Sequence, residues 1–386
     1  CRRQGPGKAR RPPHSLRVLV VNAGSSSLKL RVLDGDDGVL ARHDLAARHG
    51  AIDDSELAAA LAELDLVDAV GHRIVHGGTR FRDPVRLDET VVAELTRLAE
   101  LAPLHQPAAL AVAGAVGRAL PDVPAVACFD TAFHATLPAA AATYALPAAW
   151  RERWALRRYG FHGLSHAYAA RRAAELVDRP LDSLRIVSCH LGAGASLAAV
   201  SGGASVDTTM GFTPLEGLVM ATRSGSVDPG LLLWLLEHEQ VSGRELAEKL
   251  EQGSGLLALA GTADMTEVVA RSEAGCERAR LALDVYAHRL RAGIAAMGAA
   301  MEGMDALVFT GGVGEHAPAI RVAATDGLGF LGVELDRSRN EGAEGDEEIG
   351  AAPAAVRTLV VTAREDLEIA RQVRSVLAGR PGDRAR

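Results

Sequence analysis

Lysine is almost missing from this chain. Of 386 residues only Lys8, Lys29 and Lys249 are lysines, and arginine carries the rest of the basic charge. That reads as a genomic bias, and it sets off Lys29, which follows a serine-rich turn. Cysteine is scarce as well. Cys1, Cys128, Cys189 and Cys276 form no CxxC pair and no metal-ligand spacing. Cys128 and Cys189 lie in apolar, strand-like runs, the usual place for a buried free thiol. A reduced, cytoplasmic setting is expected. No apolar run reaches the length of a membrane span; Leu231–Leu236 is only a helix face. The net charge of −7 argues against a general nucleic-acid binder. There is no Walker A sequence, no protein-kinase motif set, no nucleophilic-serine motif and no zinc spacing among the histidines.

What is present is size and alternation. A chain of 386 residues with 48% hydrophobic and 24% charged residues is an ordinary globular composition, long enough for two domains. Residues 1–15 are Arg-, Pro- and Gly-rich, lack the apolar core of a signal peptide and are expected to form a disordered basic tail. The chain opens on Cys1 rather than Met, which leaves the natural start open. Strand and helix patterns alternate, which favours an α/β architecture. Asp88 and Asp228 are expected to cap helices, Pro107 to open one, and Ser165 to cap one running to Val177. Cys276–Met301 reads as a long helix, Ala306–Thr310 and Thr358–Thr362 as strands, and Asp366–Leu377 as the closing helix. The acidic stretch Glu341–Glu348 reads as a metal site or, with greater weight, as a solvated loop.

Two stretches look like copies of one device. Residues 17–30 and 185–197 each hold an apolar strand, a polar residue (Asn22, His190), a small-residue turn with Gly24 or Gly192, and a second apolar run. Glycine and serine at a hairpin tip let backbone N–H groups approach an anion closely. The repeat implies two lobes derived from one unit, each offering a tip to a polyphosphate.

Other segments could carry chemistry, each with a plain alternative. Arg73, in Gly71-His72-Arg73-Ile74-Val75-His76-Gly77-Gly78, could grip an anion through two N–H bonds or make a structural salt bridge. Asp130 ends an apolar strand and could orient a nucleophile, hold a metal, or cap the next turn. His162, between Phe161 and Gly163, could donate to phosphate or be a satisfied structural histidine. Met210–Gly230 reads as a shaped loop in which Arg223 could supply charge for phosphoryl transfer. Gly311-Gly312-Val313-Gly314-Glu315 could seat an adenosine, although Gly-rich turns are common.

In order and together, these segments resemble the acetate and propionate kinase family. The resemblance runs from about Leu16 to Ala378. It rests on residues 22–29 (Asn-Ala-Gly-Ser-Ser-Ser-Leu-Lys), 72–78, 129–134 and 211–217. It implies a two-lobed, duplicated actin-like (ribonuclease H-like) fold with the active site in the interdomain cleft. Residues 16–130 plus 367–386 would form the first lobe, on the acetate and metal side. Residues 131–366 would form the second, which binds nucleotide and forms the homodimer interface. The implied reaction is reversible, direct in-line transfer of the ATP γ-phosphoryl group to acetate, giving acetyl phosphate and ADP, with Mg2+ or Mn2+. No nucleic-acid or membrane partner is implied.

By this resemblance Arg73, Asp130, His162 and Arg223 carry catalysis. Arg73 and Arg223 would hold the carboxylate and the migrating phosphoryl group, His162 would bond phosphoryl oxygens, and Asp130 would position metal and acetate. Asn22 and Glu365 match the metal pair, with Asp366 an alternative to Glu365. Val75, Leu104, Phe161 and Pro214 match the pocket for the substrate methyl group. Val75 favours acetate over propionate. The nucleotide would meet His190, Leu191, Gly192, Ala193 and Gly194, then Asp264, Met265 and Thr266, then Gly312, Val313, Gly314, Glu315 and His316. Ala193 and His316 stand where Asn is usual, Thr266 where Arg is usual, and Gln106 where Asn is usual. A kinase for another short acid, and a non-catalytic nucleotide-binding module, are the competing readings.

Overall fold

The computed structural model describes residues 15–24, 27–46, 52–64, 66–101 and 106–379. The tail expected over 1–15 lies outside them except for Ser15. Two compact units emerge. One runs to Ala132 and resumes at Glu365; the other is Phe133–Arg364.

The first unit holds β1 (Val18–Ala23), β2 (Ser27–Leu33), β3 (Val39–Ala46), β4 (Ala69–Ile74), β5 (Val85–Arg86) and β6 (Ala125–Phe129). They form one sheet in the order β3-β2-β1-β4-β6-β5. The second unit holds β7 (Arg185–Leu191), β8 (Ala195–Ser201), β9 (Ala204–Thr208), β10 (Ala306–Thr310), β11 (Glu347–Glu348) and β12 (Arg357–Val360). Their order is β9-β8-β7-β10-β12-β11. Directions also match place for place. β1, β4 and β6 are mutually parallel, as are β7, β10 and β12, and every other pairing is antiparallel. The duplication read from two hairpins therefore extends to whole six-stranded sheets, and the α/β class holds.

Parallel strands are buried on both faces, so they read as continuous apolar runs. Val18–Val21 are at most 1% exposed, and Ala306–Thr310 are completely buried. The helix Glu365–Leu377 covers β1, β4 and β6, with Ile369, Ala370 and Val373 fully buried. Each buried Ile or Val of this kind is worth roughly 1.5–3 kcal/mol. The approach depends on Gly71, since a Cβ there would come within 2.5 Å of Ile369 Cγ2 and 2.7 Å of Val373 Cγ2. This packing carries Glu365, the first residue of the helix, onto the first unit.

Capping follows the sequence at Asp88, whose side chain accepts from Val91 N, and at Asp228, which accepts from Gly230 N. It differs at Ser165. The helix starts at Gly163, its N-cap is His162 in a left-handed conformation (φ 57°), and Ser165 lies within the first turn. Ser165 Oγ is instead engaged with the His190 ring. The strand expected over 358–362 is Arg357–Val360, and Thr362 N donates to Asp346 beyond it. Among the described residues no helix is long and apolar enough to cross a membrane.

Among the described residues four imidazoles are buried. Burial holds His72, His76 and His134 down to about 4. It also holds His166 well below the usual range, with His134 and His190 adding to the effect. Below pH 6.5 the unfolded chain takes up protons that the folded chain refuses, so stability must fall as pH falls from 6.5 toward 4. Each such group costs on the order of 1 kcal/mol between pH 6.5 and 5. Thermal melts across pH 8 to 5 should show a flat upper region and a declining Tm below 6.5; a flat profile down to pH 5 would contradict this burial.

Candidate functional site

In each sheet the three parallel strands end on one edge, where loops rather than strand pairings decide what is displayed. In the first unit that edge carries Asn22 at the end of β1, Arg73 at the end of β4 and Asp130 just after β6. Arg73 and Asp130 form a bidentate pair. Nη2 donates to Oδ2 at 2.7 Å, and Nε lies 3.1 and 3.2 Å from the two oxygens. Arg73 Nη1 donates to Asn22 Oδ1 (3.2 Å), and Asn22 Nδ2 donates to Glu365 Oε2 (2.7 Å). The Arg73 side chain is 14% exposed and that of Asp130 1%. Burial opposes charge on Arg73, but Asp130 and Glu365 outweigh it and hold the guanidinium above its ordinary value. Burial pushes the Asp130 carboxyl up, Arg73 pulls it down, and Glu365 adds to the upward push.

Neighbouring backbone is fixed around this group. Gln106, fully buried, donates to His76 O and accepts from His76 N, while Gly77 N donates to Thr131 Oγ1. Val75 is buried beside them. Leu104 lies outside the described residues, as do Ser25 and Ser26 of the first hairpin tip.

The oxygens of Glu365, Asn22 and Asp130 are hard donors of the kind Mg2+ takes. Among the described residues no group of three or more His, Cys, Asp or Glu side chains is arranged as a metal cage. Mg2+ rarely needs one, because it keeps waters and shares one or two carboxylates with substrate phosphates. The donor set fits that mode. Of Glu365 and Asp366, Glu365 is the one that Asn22 reaches.

The second unit's edge is built from histidine, serine and glycine. His190 lies opposite Ser196 across the β7–β8 hairpin. The tip, Gly192–Gly194, closes through Gly192 N to Gly194 O, and Ala193 O accepts from Ala221 N. Gly194 is where the functional side chains meet. A Cβ on it would lie 3.4 Å from both His162 Nε2 and Arg223 Nη1. The rings of His162 and His190 are 4.3 Å apart. Arg223 Nη1 reaches Pro214 O (3.3 Å) and Met220 Sδ (3.9 Å). Among the described residues no carboxylate is within ion-pair distance of Arg223. Burial pulls its guanidinium down and distant Glu251 pulls it up; a guanidinium still keeps its proton.

Other expected nucleotide residues divide into two groups. Gly311–His316 forms a short helix after β10, with Gly311 packed against Leu191 of β7. Gly312 and His316 are exposed and Val313 half-buried. Glu315 is occupied structurally: its Oε1 accepts from Gly311 N and Ala363 N, both at 2.9 Å. Asp264 caps the helix Met265–Glu273 by accepting from Thr266 N, and Met265 is buried. Phe161 is buried, with its carbonyl accepting from His134 Nε2.

Sequence reasoning missed several partners. Glu216 accepts from Tyr144 OH (2.6 Å) and Arg158 Nη2 (2.7 Å), and Arg158 Nη1 donates to Thr209 O and Met210 O. This ties down the loop that leads to Pro214 and Arg223. Ser188, Ser196 and His166 were also missed. The signal was the helical i, i+3, i+4 spacing of His162, Ser165 and His166.

A family model described as the acetokinase family matches residues 40–371. The chain belongs to the acetokinase family. It is 44% identical to an acetate kinase of Gloeobacter violaceus over 399 residues, covering 92% of this chain and 98% of the relative. It is 40% identical to one from Thermoanaerobacterium thermosaccharolyticum over 397 residues, covering 94% and 99%. Among solved structures it is similar to Porphyromonas gingivalis acetate kinase, with TM-score 0.86, 36% identity and coverage of 94% and 100%. It is also similar to a propionate kinase from Francisella tularensis, with TM-score 0.85, 32% identity and coverage of 92% and 98%.

In this member of the acetokinase family, the Asp130 carboxylate depends on Arg73. Replacing Arg73 with Met should lower unfolding free energy by about 3 kcal/mol or more, the cost of a buried carboxylate left without its partner. Urea denaturation measures this, and a loss below about 1 kcal/mol would mean the pair is effectively solvated.

Proposed function

We propose that the chain is an acetate kinase, a phosphotransferase with a carboxyl acceptor. It transfers the γ-phosphoryl group of ATP to acetate, reversibly and by direct in-line displacement, giving acetyl phosphate and ADP. The observation that carries this reading is the convergence at Gly194. There a guanidinium with no ion pair among the described residues and an imidazole nitrogen both come close to a glycine tip that can admit an anion.

The chemistry needs such a place. Two anions must react, and the transition state is loose, so the protein contributes mainly positioning and fixed positive charge. Arg223 offers donors that no carboxylate among the described residues neutralises. His162 offers a hydrogen bond to the same oxygens. Arg73, held rigid by Asp130 and Asn22, orients the acetate carboxylate, and Asp130 keeps it in line. Val75, Leu104, Phe161 and Pro214 receive the methyl group. Backbone N–H groups of His190–Gly194 and the exposed helix start at Gly312 receive nucleotide, with Asp264–Thr266 and Glu315–His316 on the adenosine side. Asn22 and Glu365 would hold Mg2+, or Mn2+ in its place, which supplies charge neutralisation across the phosphates when bound.

The helix Pro229–His238 supports a homodimer. Leu231, Leu233, Trp234 and Leu236 are each between 38% and 58% exposed. So many large apolar side chains on one exposed helix mark an interaction surface. Charge and composition suit a cytoplasmic enzyme.

Two measurements test this reading. Hydroxylamine trapping of acyl phosphate, with ATP and magnesium, should give faster turnover of acetate than of propionate or butyrate at limiting acid. One methylene is worth about 1–3 kcal/mol in such a pocket, so the preference should be graded; faster propionate turnover would reverse the assignment. Arg223→Ala should cut kcat by ~10³-fold or more with the fold intact, and near-normal turnover would refute its role. Separately, Trp234→Glu with Leu233→Glu should convert a dimer to monomer in sedimentation, and an unchanged mass would reject this helix as the interface.

A further inference from the structure

The helix Gly163–Leu176 opens with His162, Ser165 and His166, three polar side chains on one face. They face Ser188 and His190, two residues apart on β7 and so on one side of the strand, and Ser196 of β8. The contacts form a continuous chain. His166 Nδ1 is 2.9 Å from Ser188 Oγ, and His166 Nε2 is 2.8 Å from Ser196 Oγ. Ser196 Oγ is 3.0 Å from His162 Nδ1. Ser188, Ser196 and His166 are all at 0% exposure.

With the buried Ser196 proton used within it, such a chain can run in only two directions. Each hydroxyl has one proton, and a neutral imidazole has one N–H. Running outward, Ser188 donates to His166 Nδ1, His166 Nε2–H donates to Ser196, and Ser196 donates to His162 Nδ1. Running inward, every donor and acceptor is exchanged. Ser188 decides between them. Its Oγ has one hydrogen-bond partner among the described residues, the His166 ring. Run inward, the Ser188 proton would be left in a fully buried place with no acceptor, the costly case for a polar group. Run outward, that proton is used.

We infer that Ser188, His166 and Ser196 act as a one-way hydrogen-bond chain that fixes His162 as the neutral tautomer with its proton on Nε2. That proton points to the Gly194 tip. His162 then donates to an anion without having to become charged. A cationic His162 would stand against Arg223 at the same tip and beside the His190 ring, both unfavourable. The three residues are positioning residues, and the inference rests on the phosphoryl role proposed for His162.

The test uses full-length protein labelled with 15N-histidine. Long-range 1H–15N spectra distinguish the tautomers and the imidazolium, and the His162 signals are identified by their loss in His162→Asn. The expected wild-type spectrum shows His162 protonated on Nε2 alone. Ser196→Ala should give a mixture of tautomers and lower kcat roughly tenfold or more, with KM for acetate and ATP little changed. Ser196→Thr, which keeps the hydroxyl, should restore both. A wild-type His162 that is cationic or protonated on Nδ1 would overturn the inference, as would an unchanged tautomer in Ser196→Ala. Should Ser196→Ala fail to fold, the wild-type spectrum alone decides. Normal turnover in His162→Asn would overturn the phosphoryl role, whereas the tautomer stands or falls on the spectra.

Discussion

Three parallel strands ending side by side are the constraint on which both halves of this molecule depend. Their backbone groups are satisfied within the sheet and their side chains are covered on both faces. Chemistry is therefore displaced to the residues where the strands stop. Asn22, Arg73 and Asp130 stand at those ends in one unit; His190, Gly311 and Ala363 stand at or beyond them in the other. The duplicated topology repeats the edge but not its chemistry. One edge carries an arginine paired with one carboxylate and linked through Asn22 to a second. The other carries imidazoles, hydroxyls and one guanidinium held by two long contacts.

That difference follows from what burial permits. An ionised carboxylate at 1% exposure is stable only beside a cation, and Asp130 has Arg73. Such a pair is poor evidence of a need for stability, since apolar residues of similar volume often do as well. Its place beside Asn22 and Glu365 suits a group that must hold charge at a fixed point. Glu365 is 343 residues from Asn22. It arrives there because Ile369 and Val373 pack into the space that Gly71 leaves on β4. A side-chain-free position in one strand thus sets where a carboxylate from the far end of the chain lies.

Much of the fold could be read locally. The two hairpins, the caps at Asp88 and Asp228 and the long helix after Cys276 all rest on short-range patterns, and the structure contains them. The full match of two six-stranded sheets could not be read that way, because β5 and β11 are two residues each and carry no periodicity. Ser165 was misread because a serine near a helix start is usually a cap; here the His190 ring competes for its hydroxyl. For the candidate site, Asn22, Arg73, Asp130, His162 and Arg223 stood out through glycine-flanked segments and through the family resemblance. Their partners did not. Glu216 and Tyr144 are 72 residues apart, and Ser188 is an ordinary small residue within an apolar strand. Nothing local marks a side chain whose function is to receive or hand on a hydrogen bond.

Two arginines show why residue type alone could not settle the matter. Arg321 is 1% exposed and also has no carboxylate partner among the described residues, yet its guanidinium is occupied. Nε donates to Asn340 Oδ1, Nη2 to Asn340 O, and Nη1 to the carbonyls of Gly314 and Glu315, all between 2.6 and 2.9 Å. It closes the C-terminal end of the helix Gly311–His316, where bare carbonyls need donors. Arg223 makes two long contacts from a single nitrogen. The same cation is consumed by backbone where it is fully buried and left with donor capacity where it is half-buried. Only the second can meet an incoming anion without first breaking the structure that holds it.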